Sequence, residues 1–128
     1  MTALIEALTV VAKHLDAHPR LDAVLVSTYA LGDADTSVQL TGGPLPAVAN
    51  ALLTWAATLT DTTATAWRPP ASDSVHLDLT GTLPAGDPIR IYGAVGYDPT
   101  RFLDLEPGGK QSVGLSTLRA WAAEAVAA

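Results

Sequence analysis

Cysteine is absent from this chain of 128 residues. That one absence removes disulfide staples, thiolate metal sites and thiol nucleophiles together. A reducing cytoplasm is the expected location, and no cofactor is implied. Charge is sparse too: 16% of residues are charged against 48% hydrophobic, which excludes a chain kept unfolded by its own repulsion. Positive charge is the scarcer sign. Seven basic residues stand against thirteen acids, for a net charge of −6; a field of that sign repels phosphate, so nucleic acid is not an expected partner. The acids form no dense run, which sets aside mimicry of a nucleic acid. Long apolar runs are also missing. Thr, Asp or His interrupts each well short of the ~20 residues of a membrane span, and no membrane association is expected. The start, MTALIEALTVVAKHLDAH, carries Glu6 and Lys13 inside its apolar pattern and has no basic leader, so it reads as a mature helix and not a signal peptide.

What is present is patterned for a core. A length of 128 residues suits one domain spanning 1–128, large enough to bury roughly two-thirds of its unfolded surface. Its best-defined stretch runs from Ser74 to Val95. Val75, Leu77, Leu79 and Leu83 alternate with His76, Asp78, Thr80 and Thr82, the period of a strand with one buried face. Pro84-Ala85-Gly86 then makes a three-residue hairpin loop, with Pro84 presetting a type I turn and Gly86 free to take the left-handed conformation that follows it. The loop predicts the register: Leu83 opposite Asp87, Gly81 opposite Ile89, Leu79 opposite Ile91, Leu77 opposite Gly93 and Val75 opposite Val95. The apolar residues then share one face, and His76, Asp78, Thr80, Arg90 and Tyr92 share the other.

Around this hairpin the chain reads in order as follows. Leu4, Ile5, Leu8, Val11, Ala12 and Leu15 make a helical stripe with Thr2 as its N-cap, and His18-Pro19 ends it. Leu21 to Leu31 reads as a strand, Gly32 to Asp35 as a turn, and Ser37 to Thr41 as a return strand. Pro46 suits the first turn of a second helix, marked by Leu45, Val48, Leu52, Trp55 and Leu59. Thr60 to Trp67 reads as a strand, ended by Arg68-Pro69-Pro70. After the hairpin, Gly96 to Gln111 reads as a long irregular connection, a kind of segment that is often functional. Leu115, Leu118, Trp121, Ala122 and Ala125 mark a third helix. SVQLTG at Ser37 and SVHLDLTG at Ser74 echo one another; a duplicated helix-strand-strand unit and the ordinary reuse of hairpin residues both account for that. The expected class is α+β: one mainly antiparallel sheet of about five strands with helices on one face, in the order α-β-β-α-β-β-β-α.

No residue set spells a reaction. His14 and His18 stand four apart, as metal-binding pairs do, but a third ligand would have to come from Asp16, Asp22 or His76. Histidines near a helix end are accounted for by its dipole and free carbonyls. Glu106 to Ser112, EPGGKQS, misses the phosphate-loop pattern because Gln111 separates Lys110 from Ser112. Asp98, Asp104, Glu106 and Arg101 sit in a Gly/Pro-rich stretch poorly suited to holding an acid and base rigidly. Asp78 and Arg90 lie diagonally across the hairpin, where an ion pair is worth at most about 1 kcal/mol. Trp55, Trp67 and Trp121 read as core or interface anchors, since no basic residues interleave with them in sequence. No catalytic residue and no metal ligand is assigned.

By subtraction, the sequence reads as a small acidic interaction module, adaptor or chaperone-like, that meets a protein partner or a second copy of itself. Its expected contact residues are His76, Asp78, Arg90 and Tyr92 on the hairpin, with Tyr97, Arg101 and Phe102 on the following loop, because Tyr, Phe and Arg are enriched at interfaces. The helix-and-hairpin order is similar to that of small acidic secretion chaperones, a likeness of architecture without a shared motif. The alternative is a small-molecule-binding or enzymatic domain with an apolar pocket closed by the Gly96–Gln111 loop and served by Asp98, Arg101 and Lys110.

Overall fold

A computed structural model describes residues 2–28 and 36–127. The chain runs α1 (Thr2–Ala17), β1 (Leu25–Ser27), β2 (Ser37–Gln39), α2 (Leu45–Ala56), β3 (Thr60–Trp67), β4 (Ser74–Thr82), β5 (Pro88–Gly96), β6 (Lys110–Val113) and α3 (Leu115–Ala127). The α+β class and the element order are those expected, with a sixth strand added. In the sheet the strands lie in the order β1-β2-β5-β4-β3-β6, and every neighbouring pair is antiparallel except β2 with β5.

The β4–β5 hairpin has the predicted register throughout: Gly81 faces Ile89, Leu79 faces Ile91, Leu77 faces Gly93 and Val75 faces Val95. Its loop is built as the residues require. Leu83 N–H donates to the Asp87 carbonyl at 2.8 Å and Gly86 N–H to the Leu83 carbonyl at 2.8 Å, and Gly86 has φ +99°, which a side chain would strain. Leu77, Leu79, Ile91 and Val75 are fully buried, each stabilising the fold by about 1.5–3 kcal/mol relative to exposure.

All three helices cover that apolar face. Helix α2 approaches closely enough that a Cβ at Gly93 would stand 2.9 Å from Val48 Cγ1, so a glycine is what lets the helix seat on β5. Trp55 is fully buried and its indole Nε1–H donates to the Asp22 carbonyl at 2.9 Å. Helix α3 lies beside α2 and closes the core with Leu118 and Trp121. Helix α1 is attached more sparingly: Val11 and His14 are its buried residues, Val10 and Leu15 pack partly, and Ile5 and Leu8 are exposed. No helix among the described residues is long and apolar enough to cross a membrane.

Around β5 the sheet has an approximate two-fold pattern. The hairpins β1–β2 and β3–β4 flank it with β2 and β4 innermost, and turning one hairpin by half a revolution about an axis normal to the sheet reproduces the order and direction of the other. The echoed segments at Ser37 and Ser74 are those two inner strands.

Several boundaries differ from expectation. Of the strand expected over Leu21 to Leu31, the described residues form Leu25–Ser27; it starts later than expected because Asp22 is occupied elsewhere, its carboxylate accepting the backbone N–H and hydroxyl of Thr41 at 2.7 and 3.1 Å, and 29–31 fall outside the described residues. The turn expected at Gly32 to Asp35 falls outside the described residues, as does the Thr2 side chain expected to cap α1. The connection after β5 ends at Gly109, since Lys110–Val113 pairs with Ala64–Trp67 as β6. That connection is packed down. Asp98 accepts the backbone N–H and hydroxyl of Thr100 at 2.9 and 2.7 Å, which hold its carboxyl below the ordinary value. Phe102 and Leu105 of this connection are buried in the core.

Candidate functional site

All three helices lie on one side, and among the described residues no helix covers the opposite side of the sheet. Strand alternation puts Thr63, Thr65 and Trp67 of β3, His76, Asp78 and Thr80 of β4, Arg90 and Tyr92 of β5, Gln39 of β2, and Lys110 and Ser112 of β6 on this face. It is neither a plain solvated surface nor an apolar one, because its larger side chains are interlocked.

The interlocking runs across four strands. Trp67 meets the His76 ring edge-on, with centroids 5.3 Å apart and planes at 90°. His76 lies nearly parallel to Tyr92 at 6.2 Å. The Arg90 guanidinium sits 4.6 Å above the Tyr92 ring, and the Tyr92 hydroxyl donates to Gln39 Oε1 at 3.3 Å. Arg90 also donates from Nε to Asp78 Oδ1 at 2.7 Å, with a terminal nitrogen 2.6 Å from the same oxygen. That is the diagonal ion pair expected from the register, and Tyr92 and Arg90 shield it until Asp78 is only 9% exposed. The contacts between strands join cross-strand or diagonal neighbours within reach of aromatic and long side chains, and Arg90 meets Tyr92 as its same-face neighbour two residues along β5. The rigidity of the row comes from the sheet beneath it.

Beside this row lies a shallow depression of about 460 Å³, lined by Thr65, Trp67, Asp78, Thr80, Arg90 and Lys110. Thr80 shares a hydrogen bond of 2.7 Å with the Thr63 hydroxyl at its rim. Asp78 is committed to Arg90, whereas Lys110 makes no ion pair among the described residues.

The expected contact residues therefore divide into two groups. His76, Asp78, Arg90 and Tyr92 come together on the open face. Tyr97, Arg101 and Phe102 do not join them. Arg68 stacks 3.7 Å above the Tyr97 ring, and Arg101 is tied to Glu124 of α3 at 2.6 Å. Phe102 is fully buried with its ring 5.4 Å from that of Trp121; it is a core residue, and its expectation as a surface contact is corrected. Trp67, expected as a core or interface anchor, and Lys110, expected only in the alternative pocket, meet on this face. Trp67 stands at this surface, unlike Trp55 and Trp121, which are core, and Lys110 is its cross-strand neighbour. Lys110 and Arg90, both distant from Trp67 along the chain, line the same depression with it across the sheet.

The histidine pair lies at the far end of α1. His14 and His18 have ring centroids 4.6 Å apart, and His14 stacks on Trp55 at 5.7 Å. The Thr58 hydroxyl donates its one hydrogen to the Trp55 carbonyl at 2.7 Å, so it accepts from His14 Nε2–H at 2.8 Å. This fixes the His14 tautomer and occupies Nε2. Burial, and then the neighbouring His18, hold the His14 pKa below its ordinary value. Among the described residues no group of three or more His, Asp or Glu side chains gathers as a metal-ligand set; His76 is on the other side of the sheet and Asp22 is bonded to Thr41. Comparison with protein families, with characterised proteins and with solved structures finds no match for this chain, so its functional reading rests on its own geometry.

Proposed function

We propose that this protein is a non-enzymatic interaction module of the cytoplasm whose uncovered sheet face docks a protein partner. One observation carries the reading: a pre-ordered row of Trp67, His76, Tyr92 and Arg90 stands on the side of the sheet that no helix among the described residues covers. Trp, Tyr and Arg are the residues that most often supply binding energy at protein interfaces. Holding them in place before binding lowers the side-chain entropy lost on association. The sole carboxylate of the row is already neutralised by Arg90, which suits a contact surface better than acid-base work.

Site-specific cross-linking in the native cell tests this. A p-benzoylphenylalanine placed at Thr65 or Ser112 should give a discrete adduct that Trp67→Ala abolishes, while the same probe at Asn50 on α2 should give none. An adduct of twice the chain mass would identify the partner as a second copy. Adducts from Asn50 alone, or a bound metabolite recovered without any adduct, would sink the reading.

A further inference from the structure

We propose, building on that docking reading, that the depression beside Trp67 is a subsite for one carboxylate: it takes an Asp or Glu side chain from a protein segment whose neighbouring residues are uncharged. The first ground is the balance of hydrogen-bonding groups. Arg90 spends its Nε–H and one terminal nitrogen on a single Asp78 oxygen, and a guanidinium has five N–H donors. Its side chain is still 41% exposed. Lys110 adds an exposed ammonium and Thr65 a hydroxyl, all lining one hollow. The charge of the one carboxylate there is already balanced by Arg90; its Oδ2 is the single carboxylate oxygen left over, against the remaining guanidinium N–H groups and the three N–H donors of Lys110, so donors are in excess and call for an acceptor.

The second ground is charge. Strand positions on this face carry Arg90, Lys110 and Asp78, a surplus of one positive charge, on a molecule whose net charge is −6. A cationic partner is drawn to other surfaces. A run of acids meets the repulsion of the net negative charge of the molecule. A lone carboxylate gains the local attraction with the least of that repulsion, and complementarity of this kind fixes which patch is used more than how tightly. Size agrees: about 460 Å³ lies low in the range of roughly 300–1,000 Å³ of small-ligand sites. The Trp67 indole on the wall offers an apolar surface for the methylenes of the entering side chain.

The whole protein, labelled with 15N, is titrated with a blocked hexapeptide of Ser, Thr and Tyr containing one Glu, with its Gln and Lys counterparts, with sodium acetate and with oligothymidylate. The Glu peptide should shift the Trp67 indole and the Thr65 and Lys110 amide signals at concentrations at least tenfold lower than the Gln peptide. Lys110→Glu should transfer the preference to the Lys peptide with the core signals unmoved. Equal response to Glu and Gln peptides would overturn the carboxylate and leave a docking face standing. Acetate or oligothymidylate acting at lower concentration would overturn it in favour of a small or a polymeric anion. Silence toward every peptide would overturn it as well, and the cross-links from Thr65 and Ser112 would then decide separately whether the face docks protein.

Discussion

His14 shows how one side chain can tie a helix to the rest of the molecule and make that tie depend on pH. It is 6% exposed, donates to Thr58, stacks on Trp55 and has His18 and Lys13 as the nearest titratable neighbours around the hollow at the end of α1. Burial is the larger cause of its lowered pKa and His18 the smaller; both disfavour the imidazolium in the folded state. The folded chain therefore resists a proton that the unfolded chain accepts near pH 6.5. Stability from this group is complete above that pH and is lost as pH falls toward the lower folded value. Urea denaturation at pH 7 and pH 5 should show a smaller drop for His14→Gln, which keeps a donor for Thr58 and cannot take the charge, than for the parent chain. Equal drops would assign the pH dependence to the carboxylates instead.

At the scale of elements, the hairpin and α2 are the rigid centre and α1 is the loosest attachment. Gly93→Ala forces a methyl against Val48, and an overpacked core costs about 1–3 kcal/mol; the urea midpoint should fall accordingly while the far-ultraviolet dichroism stays the same. Helix α1 buries Val11 and His14 and leaves Ile5 and Leu8 exposed, so its amides should exchange with solvent well before those of β4 and β5, as expected of segments with few buried contacts. How much of this was legible follows from distance along the chain. The β4–β5 register could be read because Pro84-Ala85-Gly86 sets it locally, and each strand shows its alternation without help from elsewhere. Strand β6 could not. It is four residues after a Gly-Gly pair, and what makes KQSV a strand is Ala64–Trp67, more than forty positions earlier. The same non-local pairing brings Lys110 to Trp67, so half of the candidate site was visible as hairpin alternation, while the other half was visible as separate residues and not as neighbours. Phe102 misled for a related reason: it stands in a stretch with Asp98, Arg101, Asp104 and Glu106 that shows no strand or helix period, and Trp121, which packs against it, arrives from the last helix.

For the molecule as a whole, the one-sided layering separates what holds the fold from what the fold offers to others. Apolar burial lies between sheet and helices, where Leu79 and Ile91 are fully enclosed, and the interlocked polar row lies on the far side of the same strands. Substitutions on the two sides should then behave as different classes. Leu79→Ala removes a side chain packed on every side and should cost about 2–5 kcal/mol. Trp67→Ala removes a cross-strand contact with His76 and should cost about 0.2–1 kcal/mol, because the strand pairing beneath it is untouched. Measured together, urea denaturation and photo-cross-linking should dissociate: Trp67→Ala folds nearly as well as the parent chain and yields no adduct from Thr65, whereas a milder core change such as Ile91→Val lowers the midpoint by about 0.5–1.5 kcal/mol and keeps the adduct. If losing Trp67 lowered stability as much as Leu79→Ala does, the row would be a structural brace that the sheet needs for itself, and the case for a surface held ready for a partner would fall with it.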